Sequence, residues 1–101
     1  MIKRYAVFYG TVDRMDEFER RLTEEAVPLW RKIPQLREVE LRFVRTRDDG
    51  APEVPLIMYT VFDDVAAMHA GLASPERAAS NAVASRIIAE LFVGSAYHYV
   101  T

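Results

Sequence analysis

"AVPLWRKIPQLREVELRF", Ala26 to Phe43, is the stretch on which the fold turns. Its first half keeps the spacing of a helix and its second half alternates with period two, with Pro34 standing at the change. Upstream, Met15, Phe18, Leu22, Ala26, Leu29 and Ile33 recur at steps of three or four, which places them on one helical face. Pro28 falls inside that run. Proline lacks a backbone donor and its ring collides with the preceding turn, yet the apolar spacing passes through Pro28 without slipping. The spacing therefore predicts a kink at Pro28 and a true stop at Pro34. Beyond it Val39, Leu41 and Phe43 form the buried edge of a strand whose other face carries Glu38, Glu40 and Arg42. At the upstream end Asp13 is the expected N-cap, with Asp16 three residues on as a short capping-box acid.

Working outward, Lys3 to Tyr9 reads as a first strand closed by Gly10. Both of its alternating sets are apolar: Tyr5, Val7 and Tyr9 on one, Ala6 and Phe8 on the other. "RDDGAPEVP", Arg47 to Pro55, has the breaker composition of a hairpin loop. Leu56 to Phe62 is the third strand, again apolar on both faces. Asp63 or Asp64 caps a second helix with Val65, Met68 and Leu72 inward, and Gly71 with Ser74–Pro75 breaks and restarts it. The alanine-rich run to Leu91 turns Val83, Ile87 and Leu91 inward, Gly94 ends it, and "SAYHYV" is a last short strand.

The order β-α-β-β-α(α)-β is the ferredoxin-like arrangement, an α+β fold with a four-stranded antiparallel sheet in a single domain over residues 1–101. Helices cover one sheet face. Phe8, Leu56, Met58 and Phe62 are expected on the other, and an exposed patch of that kind marks an interface, so a homodimer packing sheet against sheet is the economical solution.

The totals exclude several classes of function. Hydrophobic residues make up 50% of the chain and charged ones 28%, the balance of an ordinary globular domain. A net charge of −2 with interspersed signs builds no positive field for nucleic acid. With no cysteine there is no disulfide, thiolate metal site or cysteine nucleophile. The apolar run Tyr5–Tyr9 is too short for a signal sequence, and nothing approaches a membrane span, so the chain reads as a cytoplasmic protein that starts directly with its first strand. Two histidines far apart in sequence give no metal-ligand spacing, and the scattered glycines build no phosphate loop.

"DEFERRLTEEAVPLWRKIPQLREVEL" together with "FDDVAAMHAGLASPERAAS" resembles the EthD-type proteins of the dimeric α+β barrel superfamily. The resemblance rests on Phe18, Pro28–Leu29, the Ile33–Pro34–Leu36 exit and the Leu72 to Glu76 ending, and it spans nearly the whole chain. It implies a homodimer whose sheets meet face to face, with a cleft in each protomer between helices and sheet. It further implies that the cleft takes a small hydrophobic molecule, aromatic or polyketide-like, for cofactor-free oxygenation, isomerisation or dehydration. The chain departs from the pattern at one position. Where such proteins carry a histidine two residues before the helix-one proline, this chain has Ala26, which has no proton to move.

Two functional classes follow. In the first, an enzyme, His98 in the last strand is the proton carrier, because histidine titrates near neutrality. Its ordinary alternative is a histidine at a dimer face or strand end. Tyr5 and Tyr59 are then orienting donors and Trp30 a lining residue, since each joins an apolar ring to a polar tip; otherwise they are plain core aromatics. His69, off the apolar face of its helix, is a rim candidate or a surface residue. Arg4 and Arg45 sit on strands and are weak candidates for steering an anionic group. In the second class the chain is a non-catalytic binding or accessory module that lost the helix-one histidine, as Ala26 suggests.

Overall fold

The computed structural model describes residues 1–101. Strands β1 (Ile2–Val12), β2 (Glu38–Phe43), β3 (Leu56–Phe62) and β4 (Phe92–Val100) form one antiparallel sheet in the order β2-β3-β1-β4. Between β1 and β2 run α1 (Met15–Arg21), a π-helical segment (Leu22–Ala26) and α2 (Val27–Trp30); α3 (Val65–Leu72) and α4 (Pro75–Leu91) separate β3 from β4. This is the ferredoxin-like order.

The π segment is how the chain keeps Pro28 within a continuous helical rod. In an unbroken α-helix the Pro28 ring would meet the carbonyl four residues back. Here the Val27 N–H donates to the Leu22 carbonyl, five residues back, and the wider turn lets α2 begin afresh with Pro28 in its first turn. Phe18, Leu22 and Ala26 consequently stay on one face, all fully buried. The exit is a tight turn with Pro34 inside it: the Leu36 N–H donates to the Ile33 carbonyl at 3.3 Å, and Gln35 takes a left-handed φ of 70°.

Several local expectations are corrected. Asp13 does not cap α1; Arg14 occupies that position with a left-handed backbone and no side-chain cap bond. Of the predicted caps, Asp64 accepts from the Ala67 N–H at 2.8 Å and Ser74 from the Arg77 N–H at 3.1 Å. Val65 is exposed, whereas Met68 is buried. Gly71 stays helical: a Cβ there would lie 2.7 Å from the Pro34 carbonyl and 2.8 Å from the Phe62 ring, so the glycine allows α3 to pack against the exit turn. Helix α4 ends at Leu91 and β4 starts immediately, leaving Gly94 within the strand.

The main correction concerns the sheet faces. Phe8, Leu56 and Phe62 lie under the helices, almost fully buried, and Met58 packs with them; none is on the open face. Phe8, Leu56 and Ala6 join Phe18, Leu22, Ala26, Ala84, Ile87 and Leu91 in one core, and Phe8 meets Phe92 edge-on at 5.4 Å. The register puts Tyr5 opposite both Tyr59 and Tyr99, and Val7 opposite Ile57 and Tyr97. All five tyrosines of the chain thus share the face that no helix covers. Tyr97 and Tyr99 are 55% and 52% exposed there. No helix is long and apolar enough to cross a membrane.

Candidate functional site

Between the helices and the sheet lies a cleft of about 350 Å³. Its floor is Ala6, Phe8, Leu56 and Met58; Leu22 and Trp30 wall it from the first helical rod, and Ala84 and Ile88 from α4. The period-two alternation of β1 and β3 sends this set inward, and the 3.6-residue period of α4 aims Arg77, Asn81, Ala84 and Ile88 along one stripe.

The cleft is polar at one end. Arg4 and Thr60 are partners across β1 and β3, His98 pairs with Ala6 on the neighbouring rung of β4, and Arg77 lies in the first turn of α4 with Asn81 one turn on. The opposite end holds Phe8, Leu56 and Phe92. Burial lowers the pKa of His98, and the nearby Arg4 and Arg77 lower it further. The imidazole is therefore neutral at pH 7 and able to accept a proton. Burial and Arg77 also depress the pKa of Arg4. The Thr60 hydroxyl is buried and has no hydrogen-bond partner.

A depressed histidine fixes a sign for the pH dependence of stability. The unfolded chain takes up a proton at His98 near pH 6.5, and the folded chain does so only at lower pH. Stability contributed by this residue is present above that pH and falls as pH drops through the window below it. His98→Gln is expected to flatten this part of the pH–stability curve, measured by urea unfolding between pH 5 and pH 7 on the order of half-unit steps. An NMR titration midpoint for His98 at or above that of an unfolded peptide would contradict the assignment.

The candidates from sequence are distributed as follows. His98 and Trp30 line the cleft. Tyr5 and Tyr59 do not; they stand on the opposite face, their rings 5.7 Å apart. The Tyr59 hydroxyl donates to Glu40 at 2.5 Å and its ring lies 4.5 Å from the Lys3 ammonium. The Glu40 bond holds the phenol protonated, pushing its pKa up to about 12. His69 is exposed on α3, outside the cleft. Arg45 is committed to a bidentate pair with Glu19 at 2.8 and 2.9 Å, whereas Arg4 lines the cleft. Ala26, at the helix-one position of the missing histidine, is fully buried in the core and does not reach the cleft. Thr60, Arg77 and Asn81 escaped notice in the sequence. For Arg77 and Asn81 the signal was the spacing Arg77, Asn81, Ala84, Ile88, an α4 stripe polar at one end and apolar beyond.

A ferredoxin-like α+β chain with a helix-side cleft is what fold and geometry define. No family model matches the chain, and no curated protein matches it by sequence. Solved structures share the fold over nearly the whole length. An EthD family protein from Bacillus halodurans superposes with a TM-score of 0.77 at 21% identity, covering 96% of this chain and 97% of its own. SnoaB, a cofactor-independent oxygenase from Streptomyces nogalater, gives 0.63 at 19% identity over 99% of this chain and 89% of its own. A dimeric ferredoxin-like protein of unknown function from Thermobifida fusca gives 0.65 at 16% identity over 100% and 90%.

Proposed function

We propose that this chain is an EthD-like dimeric α+β barrel protein whose cleft binds a small hydrophobic organic molecule, aromatic or polyketide-like, and transforms it without a cofactor. The observation that carries the proposal is the cleft itself: a mostly apolar space of about 350 Å³ that Trp30 and Leu72 wall without filling, with polar groups gathered at one end. His98, neutral at pH 7, is the proposed proton acceptor. The partner surface is the tyrosine face, because its exposed rings are amphipathic and suit a second copy of the same sheet. The lack of cysteine fits a cytoplasmic setting.

The second reading, a non-catalytic binding module, is favoured by Ala26, which puts no titratable group at that position of helix one. Both readings require a ligand in the cleft. Trp30, the chain's one tryptophan, reports it. Titration with phenylbutanol, a neutral amphiphile, is expected to change Trp30 emission saturably; an unsaturated linear response would contradict ligand binding. Once a substrate is found, full turnover by His98→Ala would remove His98 from the mechanism.

A further inference from the structure

At the polar end of the cleft His98 has a proposed role but the two arginines have none, and they are unusual for this chain. Arg14, Arg20, Arg21, Arg37, Arg42 and Arg45 each lie within ion-pair distance of a carboxylate. Arg31, Arg47 and Arg86 are exposed, where water satisfies a guanidinium. Arg4 and Arg77 belong to neither group. Both are partly buried, both line the cleft, and neither has an acid partner. Glu76, beside Arg77 in sequence, lines no part of the cleft and pairs with neither.

We propose that the cleft selects an organic anion, its carboxylate or enolate oxygens seated between Arg4 and Arg77 and its apolar body lying toward Phe8, Leu56 and Phe92. The inference rests on the cleft being a binding site and names the class of molecule it takes. Guanidinium forks match a carboxylate in shape and form charge-assisted hydrogen bonds to it. Two cations drawn out of water beside each other repel, and a bound anion removes that repulsion. Burial and the nearby Arg77 both lower the pKa of Arg4, as expected of two guanidiniums held close together away from water. The Thr60 hydroxyl, buried with no partner of its own, supplies a further donor beside Arg4. Beyond His98 and Asn81 the wall is apolar, which disfavours a bare inorganic ion and favours an anion with a hydrophobic body.

Phenylbutyrate and phenylbutanol differ in the charge of the head group and serve as the paired probes, with Trp30 emission as the readout. The acid is expected to bind about tenfold or more tighter than the alcohol at low salt, an advantage that shrinks as ionic strength rises. Arg4→Gln and Arg77→Gln are each expected to remove most of that advantage while leaving the alcohol's affinity within about threefold, and Arg77→Lys to retain part of it. Thermal melts establish which variants are folded; Arg77, in the first turn of α4, keeps one variant available if Arg4→Gln fails. Equal affinity of both probes for the wild-type chain, or an acid preference that survives Arg77→Gln, overturns the anion assignment and leaves the hydrophobic cleft standing. Failure of both probes to bind overturns the cleft as a binding site, and the anion assignment with it.

Discussion

Gly94→Ala is expected to abolish cooperative folding. Gly94 and Gly10 face each other across β4 and β1, with φ of +154° and +151°, a region that residues with a Cβ rarely enter. A Cβ on Gly94 would lie 2.0 Å from the Tyr9 carbonyl oxygen, and one on Gly10 would lie 2.1 Å from that of Val93. The obstacle in each case is backbone, so no rotamer change relieves it. The paired strands must separate, and the separation reaches the Asp13 N–H bond to Leu91 and the seat of Phe92 against Phe8. A loss of more than about 4 kcal/mol is of the same order as the whole stability of a small domain. Circular dichroism of Gly94→Ala through a urea titration should show no sigmoidal transition. A transition within about 1 kcal/mol of wild type would mean that β1 and β4 do not approach so closely.

The second large effect concerns assembly. Tyr97→Asp combined with Tyr99→Asp is expected to convert the proposed dimer to a monomer while sparing the cleft. Both side chains point away from the helices, both are about half exposed in the single chain, and Tyr97 packs on Tyr9 at 5.9 Å between centroids. Carboxylates there would bring four like charges into one dimer interface, where each must lose its water without a partner. A dissociation constant weakened about a thousandfold or more is the expected scale, read by sedimentation velocity across a concentration series. Retention of phenylbutanol binding by the variant would show that the change acts on assembly alone. A variant as dimeric as wild type would place the partner surface elsewhere.

How far the fold was legible follows from the same residues. The apolar face from Met15 to Ile33 and the Ser74–Pro75 restart are periodic or stereochemical signals, and the structure follows them, although regular helix ends at Trp30, ahead of the stop expected at Pro34. The π segment was hidden because a one-residue widening leaves apolar spacing intact; only the need to accommodate Pro28 hinted at it. The sheet faces were inverted for a definite reason. With both alternating sets of β1 and β3 apolar, period two says that both faces are covered but not by what. The deciding chemistry was present: a phenol must keep its oxygen near a partner or water, so the tyrosine set belongs on the open side, where Tyr59 reaches Glu40, and the Phe, Leu and Met set under the helices. That inversion moved Tyr5 and Tyr59 out of the candidate site. His98 and Trp30 were placed in the cleft by geometry that spacing alone does not give, since each depends on elements distant in sequence.

The division of the sheet into a ligand side and a partner side is tested most directly by amide chemical-shift mapping of the folded chain titrated with phenylbutanol. The largest shifts should fall on Trp30, Ala84, Ala96 and His98, with Tyr5, Val7 and Tyr59 nearly unmoved. Shifts concentrated on the tyrosine strand positions, with Trp30 and Ala84 unchanged, would contradict the account.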